Sequence, residues 1–326
     1  MSALLEVQGL RKYFQARKLI GRPPKPVRAV EDVSFSVAAG ESFALVGESG
    51  CGKSTVARCI VGLLEPDAGE VRVNGDGLVA LRRRDRRAAC RAVQMVFQDP
   101  YSSLNPRLTV GDALLEPLVI DGALPASQRG AKVESLLREV GLDRDAARRY
   151  PHEFSGGQRQ RIGIARALAL EPRVLIADEP VSALDVSIQS QILLLLKSLQ
   201  ASRNLSLVFI THDLAVVRNF CDRMAVMYLG ALVEQGEVEQ VLGQPRHPYT
   251  RTLRDAALPP DMRARDGLAR IEGEMPSAVD PPSGCRFHPR CPARMAQCDS
   301  VDPAWTGAAG GRRVRCHAVP ADGIAG

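Results

Sequence analysis

The chain has 326 residues, which is enough for about two domains. Hydrophobic residues make up 45% of it and charged residues 25%, as in an ordinary globular protein. It contains no apolar run near the roughly 18 residues that span a bilayer, and its N-terminus lacks the basic-then-apolar pattern of a secretory signal. We therefore expect a cytosolic chain, unless a partner holds it at a membrane.

The formal net charge is +6, and five arginines cluster between residues 82 and 87. Such an excess of positive charge can indicate a nucleic-acid or anionic-lipid partner. This cluster is short and is not interleaved with aromatic residues, so we interpret it as a solvated surface.

In chain order, strands are predicted at residues 4–7, 33–37 and 42–46, followed by a helix at residues 54–64. A Pro-rich and basic stretch at residues 17–28 predicts a surface loop. Strands at residues 70–73 and 93–97 precede a region of helical spacing at residues 109–149, in which Gly141 is a helix stop. Strands at residues 174–177 and 207–210 enclose a helix at residues 188–199. Strands that alternate with helices indicate a mainly parallel sheet with helices on both faces.

The strand at residues 42–46 runs directly into a glycine-rich loop. It reads Gly47-Glu48-Ser49-Gly50-Cys51-Gly52-Lys53-Ser54, followed by Thr55, and fits G-x-x-x-x-G-K-[ST] at every fixed position. Glycines let backbone N–H groups curl around phosphate oxygens, and the next helix points its positive end at the same anion. Lys53 would reach the β- and γ-phosphates of ATP, and Ser54 would bind Mg²⁺. Cys51 occupies a variable position, and we interpret it as structural.

A second element is the apolar run at residues 174–177, which ends in Asp178 and Glu179. A carboxylate at the end of a buried strand suits the Mg²⁺ shell, a role we give to Asp178. Glu179 suits a general base that orients the attacking water. Together with the glycine-rich loop, this pair predicts ATP hydrolysis.

The third element reads Ser155-Gly156-Gly157-Gln158. With this motif the chain resembles the ATP-binding subunit of an ABC transporter, although Phe154 stands where most members have Leu. Ser155 and the two glycines open a helix, so N–H groups and a hydroxyl are offered to another phosphate. In that family the motif faces the phosphate loop of a second subunit, which implies an active site shared between two chains.

The resemblance assigns roles to four further positions, Gln98, Asp185, His212 and Phe14. Gln98 is similar to the glutamine that touches Mg²⁺ and the attacking water. Asp185 ends the loop 182–185, which resembles the one that crosses the dimer interface. His212 resembles the histidine that contacts the γ-phosphate. Phe14 resembles the aromatic residue that stacks on adenine, with the adjacent Tyr13 as the alternative.

Two motifs are similar to those of dipeptide and oligopeptide importers. They read Tyr101-Ser102-Ser103-Leu104-Asn105-Pro106 and His247-Pro248-Tyr249-Thr250. The resemblance implies two transmembrane permease subunits, an extracytoplasmic binding protein, a second ATP-binding subunit that is identical or paralogous, and a peripheral place on the cytoplasmic face of the inner membrane. Nickel and glutathione importers share these features and remain alternatives. An ABC-type ATPase acting on nucleic acid or ribosomes is the rival from another class, and only the basic charge favours it.

Four cysteines crowd the C-terminal end: Cys285, Cys291, Cys298 and Cys316. In a reducing compartment such a cluster indicates a metal-binding or catalytic site rather than disulfides. The spacing does not match the paired C-x₂-C of zinc ribbons. Four thiolates could hold a [4Fe–4S] cluster, and some peptide-import ATPases are similar in carrying one. Zinc or metal-free thiols are the alternatives.

We therefore predict an α/β fold with a P-loop NTPase core, an antiparallel β edge, an all-helical insert and a small C-terminal extension. The ATP-binding domain is predicted at residues 1–243, with the helical subdomain at about residues 100–165. The extension with the cysteine cluster is predicted at residues 244–326.

Overall fold

A computed structural model describes residues 3–15, 25–99, 101, 103–182, 184–257, 273–307 and 311–319. The chain divides into two compact units. The first comprises Met1–Leu4, Ala38–Glu41 and Val73–Ile210, and the second comprises Leu5–Val37, Ser42–Arg72 and Thr211–Gly326. Within the described residues, no helix is long and apolar enough to cross a membrane.

The secondary structure alternates between strands and helices along most of the chain. The strands are β1 (Ala3–Phe14), β2 (Val27–Ala38), β3 (Ser42–Val46), β4 (Ala68–Val73), β5 (Asp76–Gly77), β6 (Val93–Val96), β7 (Val174–Asp178), β8 (Ser206–Thr211), β9 (Arg223–Tyr228), β10 (Ala231–Glu237), β11 (Thr306–Gly307) and β12 (Arg313–Val314). The α-helices are α1 (Lys53–Ile60), α2 (Leu78–Arg84), α3 (Arg86–Ala92), α4 (Val110–Asp121), α5 (Ala126–Glu139), α6 (Gly156–Leu168), α7 (Val186–Arg203), α8 (Leu214–Phe220), α9 (Val238–Gly243) and α10 (Pro248–Ala257). Short 3₁₀ helices lie at Arg144–Arg148, Pro151–Glu153, His288–Arg290 and Ala296–Asp299.

The core of the first unit is a set of parallel strands. Strand β7 pairs in parallel with β6 on one side and with β8 on the other. Every residue of β7 and β8 is buried, which explains why both read as nearly continuous apolar runs. Parallel strands of this kind bring their carboxyl ends to one edge, where β7 presents Asp178.

The same unit contains the predicted helical insert. Helix α4 begins after Thr109, whose hydroxyl accepts a hydrogen bond from the Asp112 N–H at 3.2 Å. Helix α5 ends at Glu139, two residues before the predicted stop at Gly141, which has a φ of 72°. Apolar residues of these helices, among them Leu114 and Leu136, are fully buried. The helical spacing therefore reflects a shared core between the helices.

The second unit combines parallel and antiparallel pairing. Strand β3 is parallel to β9, and β9 is antiparallel to β10. Strand β12 extends this arrangement by pairing antiparallel with both β10 and β11. In a separate sheet, β1 lies between β2 and β4. The predicted α/β class with a mainly parallel core and an antiparallel edge is confirmed.

Several predicted boundaries differ from the structure. Strands β1 and β2 each have 12 residues, far more than predicted. The loop predicted at residues 17–28 lies mostly outside the described residues, and Val27 and Arg28 already belong to β2. Helix α1 ends at Ile60 because Gly62 adopts a left-handed φ of 68°. Strands β9 and β10 were not predicted, although the apolar run Met224–Tyr228 could have indicated β9.

The C-terminal extension is anchored by a cluster of buried rings. Tyr249 packs edge-on against Tyr228 with centroids 4.7 Å apart, and Phe287 lies 5.2 Å from Tyr228 and 5.3 Å from Tyr249. His247 lies 5.7 Å from Phe287, and its Nδ1 accepts a hydrogen bond from the Tyr249 N–H at 3.0 Å. The motif at residues 247–250 therefore joins α10 to the end of β9.

Burial lowers the pKa of His247 from its ordinary 6.5 to about 3. The unfolded chain takes up a proton as the pH falls below 6.5, whereas the folded chain does not, so folding is destabilised between about pH 6.5 and 3. His247→Gln keeps a side-chain acceptor but cannot titrate. We expect its free energy of unfolding, relative to wild type, to rise by up to about 1.4 kcal/mol per pH unit on acidification.

Urea unfolding of both proteins at pH 7 and pH 5 measures this difference. His152→Gln is the matched control, since His152 is exposed, and it should follow wild type at both pH values. If the free energies of unfolding of His247→Gln and wild type changed by the same amount between pH 7 and pH 5, the lowered pKa of His247 would be contradicted.

Candidate functional site

The glycine-rich loop joins β3 to α1 in the second unit. A Cβ added to Gly47 would lie 2.2 Å from the backbone oxygen of Met227, and one added to Gly52 would lie 2.2 Å from the backbone oxygen of Ala29. Neither approach leaves room for a side chain. The fixed glycines of the motif are thus required by close backbone contacts as well as by the loop's conformation.

Lys53, near the end of the loop, forms hydrogen bonds with residues at its start. Its side chain is buried, and Nζ donates to the carbonyls of Gly47 at 2.8 Å and Glu48 at 2.9 Å. The ammonium group is therefore fixed at the mouth of the loop, at the N-terminus of α1. Ser54 and Thr55 follow in the first turn of that helix, whose N–H groups and dipole favour an anion.

Cys51 of the same loop is 1% exposed. Burial raises the pKa of its thiol, so the reactive thiolate is disfavoured. This agrees with the interpretation of Cys51 as a structural residue.

In the first unit, Glu179 follows β7 in an unusual conformation. Its φ is 45°, and its N–H donates to the carbonyl of Ile210 at 2.9 Å. A non-glycine residue in this region is strained, and such strain is concentrated at functional sites. The Glu179 carboxylate accepts a hydrogen bond from Gln98 Nε2 at 2.7 Å. The structure thus brings together two predicted catalytic residues that are 81 positions apart.

Asp178 precedes Glu179 and is 4% exposed. It is the last residue of β7, so a rigid buried strand fixes the position of its carboxylate. Mg²⁺ is a hard cation that prefers carboxylate oxygens, and Asp178 stays the residue predicted to hold it.

The motif at residues 155–158 forms the N-terminus of α6. Ser155 Oγ accepts from the Gln158 N–H at 3.3 Å, and Gln158 Oε1 accepts from the Ser155 N–H at 3.0 Å, which makes a capping box. A Cβ on Gly157 would lie 2.4 Å from Ile188 Cγ2, and one on Gly156 would lie 3.3 Å from Leu184. The glycines therefore allow α6 to approach the start of α7, while Ser155 and Gln158 remain exposed.

The remaining predicted residues lie on the surface of their own units. Asp185 is exposed at the N-cap of α7 in the first unit. His212 follows β8 in the second unit and is also exposed. In that unit Tyr13 donates its hydroxyl hydrogen to Glu31 at 2.5 Å, whereas the ring of Phe14 is 38% exposed. Phe14 is thus the ring of this pair that is open for stacking.

The four C-terminal cysteines lie in one region but do not form a ligand set. The Cys285 N–H donates to the Cys298 carbonyl at 2.9 Å. Burial raises the pKa of Cys285 to about 11, and Cys291, Cys298 and Cys316 add to that shift. Among the described residues, which include all four, no group of three or more His, Cys, Asp or Glu side chains is arranged to hold a metal ion. The predicted [4Fe–4S] cluster, and zinc in its place, are therefore not supported.

Two contacts of the loop were missed by the sequence analysis. Arg290 forms an ion pair with Glu48 at 3.2 Å, and the Tyr249 hydroxyl accepts from the Glu48 N–H at 3.0 Å. Tyr249 belonged to a motif that the sequence had singled out, but no local pattern marked Arg290.

Comparisons with known proteins identify the family of this chain. Residues 30–182 match the family of ABC transporters. The solved ATP-binding cassette MJ0796, a dimer in a post-hydrolysis state bound to ADP and Pi, is similar, with a TM-score of 0.63 and 29% identity, over 72% of this chain and 98% of its own. The chain belongs to the ABC transporter family, and it is an ATPase.

The C-terminal part of the chain matches a narrower family than the ATP-binding part does. Residues 233–298 match the C-terminal region of oligopeptide/dipeptide transporters. The chain is 51% identical to the probable peptide ABC transporter ATP-binding protein y4tS of Sinorhizobium fredii, over 97% of this chain and 90% of the relative. It is 48% identical to the putative oligopeptide transport ATP-binding protein YkfD of Bacillus subtilis, over 96% and 95%.

The loop geometry makes a prediction about its glycines. Gly47→Ala would place a Cβ against the Met227 carbonyl, whereas a Cβ on Gly50 would meet no atom of the described residues within 4 Å. We expect Gly47→Ala to lose about 1–3 kcal/mol of stability through overpacking, in addition to the cost of its positive φ of 154°. The control Gly50→Ala should lose less, since only its positive φ of 79° opposes the change. Thermal unfolding without nucleotide compares them, and equal losses would contradict the close contact.

Proposed function

We propose that this chain is the ATP-hydrolysing subunit that energises the import of dipeptides or oligopeptides through a membrane ABC transporter. The match of residues 233–298 to the C-terminal region of oligopeptide/dipeptide transporters carries this proposal. The names of the two relatives, a peptide and an oligopeptide transport protein, indicate the same cargo class. Nickel or glutathione import is the alternative cargo, and action on nucleic acid or ribosomes is the alternative class; neither relative's name favours them.

For the residues of the first unit, we propose three roles in hydrolysis. Asp178 binds Mg²⁺ from the end of its buried strand. Glu179 is the general base that takes a proton from the attacking water. Gln98 contacts Mg²⁺ and that water, and its hydrogen bond to Glu179 supports a shared task.

For the second unit, we propose that the loop at residues 47–55 binds the phosphates of ATP. Lys53 contacts the β- and γ-phosphates, and Ser54 provides its hydroxyl to Mg²⁺. His212 contacts the γ-phosphate. Phe14 stacks on adenine in preference to Tyr13, whose hydroxyl is engaged by Glu31.

The proposed assembly contains a second ATP-binding subunit, identical or paralogous, and two transmembrane permease subunits. The ATP-binding subunits lie on the cytoplasmic face of the inner membrane. An extracytoplasmic binding protein would deliver the peptide. We propose that Ser155, Gly156, Gly157, Gln158 and Asp185 face the second ATP-binding subunit. The exposure of Ser155, Gln158 and Asp185 supports this, as does the dimeric state of the solved cassette MJ0796.

We also propose that residues 1–243 form the ATP-binding domain, with a helical subdomain at about residues 100–165. Residues 244–326 would form the extension. The helices α4 and α5 support the helical subdomain.

The role of Glu179 predicts that Glu179→Gln binds ATP but does not turn it over. An amide cannot accept the proton, so hydrolysis should fall by about 10²–10⁴-fold. Phosphate release and nucleotide titration of the purified variant measure the two steps separately. Glu134→Gln, which changes an exposed carboxylate of α5, should behave as wild type. Near-normal hydrolysis by Glu179→Gln would refute the role.

The proposed function predicts which proteins and cargo accompany this chain. Purified from detergent-solubilised membranes, it should bring two multi-span subunits and a related ATPase. That complex, placed in vesicles with its binding protein, should hydrolyse ATP faster when a dipeptide is present. Stimulation by nickel or glutathione instead would establish the alternative cargo, and recovery with ribosomes or nucleic acid would establish the rival class.

A further inference from the structure

Glu48 occupies a variable position of the phosphate-loop motif, yet the C-terminal extension binds it on both its backbone and its side chain. Arg290 Nη1 donates to both carboxylate oxygens at 3.2 Å, and Nη2 donates to Oε2 at 3.2 Å. The arginine side chain is 5% exposed and the glutamate side chain 25%. Forked arginine–carboxylate contacts that are shielded from water are stronger and more specific than surface pairs.

The groups that hold Glu48 are themselves rigid. Tyr249, whose hydroxyl accepts from the Glu48 N–H at 3.0 Å, is fully buried. Arg290 Nη1 also donates to the Tyr228 hydroxyl at 3.3 Å. Phe287 packs against both tyrosine rings. Arg290 and Tyr249, which together we call the clamp on Glu48, are therefore part of a packed aromatic core.

A second arginine fixes the same short segment from its other side. Arg286 donates to the carbonyl of Leu229 and pairs with Glu31 at 3.5 Å. Its side chain is 14% exposed. The segment from residue 286 to residue 290 is thus attached at both ends, which limits the freedom of Arg290 to move away from Glu48.

Glu48 links the clamp to Lys53, the lysine proposed to bind phosphate. The Glu48 carbonyl accepts a hydrogen bond from Lys53 Nζ at 2.9 Å. Its carboxylate also puts a negative charge in a loop whose ligand is an anion, and like charges a few ångströms apart repel. Arg290 offsets that charge at the point where it arises.

We propose that Arg290 is a positioning residue for ATP: it holds Glu48, offsets its charge, and so lets the C-terminal extension set the affinity of the phosphate loop. The inference rests on the proposed role of residues 47–55 in phosphate binding. It gives a role to the contact between the extension and this loop.

A double-mutant cycle on the full chain tests it by titration with a fluorescent ATP analogue. Arg290→Met leaves Glu48 unpaired, and we expect it to raise the Kd about tenfold. Glu48→Gln removes the repelling charge while Arg290 keeps its positive charge, and we expect it to lower the Kd about threefold. The double variant should recover most of the affinity lost in Arg290→Met, because the repelling charge is gone. If Arg290 gave only structural support to the loop, the double variant would bind ATP as weakly as Arg290→Met.

Arg294→Met is the matched control, since Arg294 belongs to the same extension but pairs with Asp299 at 2.7 Å. It should bind as wild type. Arg290→Lys keeps the charge without the forked contacts, and it should raise the Kd about threefold, which keeps the test informative if Arg290→Met does not fold. Wild-type affinity in both Arg290 variants, or a double variant as weak as Arg290→Met, would overturn the proposal. Failure of wild type itself to bind ATP would instead overturn the proposed function.

Discussion

The backbone of the phosphate loop lies in direct contact with two other backbone segments of the second unit. A Cβ at Gly47 or at Gly52 would come within 2.2 Å of a carbonyl oxygen, from Met227 and Ala29 respectively. Lys53 then fixes the loop from inside by donating to two of its carbonyls. The N–H groups that we propose for phosphate binding are therefore held in place by contacts within the protein, and such preorganisation lowers the entropy lost on binding.

In the first unit, the carboxylates of Asp178 and Glu179 lie at the end of a strand. The buried apolar strand β7 supplies the support, and its last residue, Asp178, is itself buried. Glu179 then leaves the strand with a positive φ and forms hydrogen bonds through its N–H and its carboxylate. Strain at this residue is compensated by the surrounding packing, as is usual where chemistry occurs.

The local motifs were predictable from the sequence because each is a run of a few residues whose chemistry depends on its own backbone. The loop at residues 47–55 and the capping motif at residues 155–158 are of this kind. The parallel strands were predictable because burial on both faces makes them apolar runs. The contact of Arg290 with Glu48 joins residues 242 positions apart, and no local pattern encodes it. The cysteine spacing suggested a metal site, but ligand geometry depends on tertiary placement, and that placement does not support one.

The C-terminal extension therefore acts on the nucleotide site through Glu48, in addition to marking the transporter branch. Hydrogen exchange of the loop amides tests this most directly, since it reports the local opening of that segment. Amides of residues 47–55 should exchange faster in Arg290→Met than in wild type. In Arg294→Met they should exchange at the wild-type rate. Equal exchange of the loop in Arg290→Met and wild type would contradict the account.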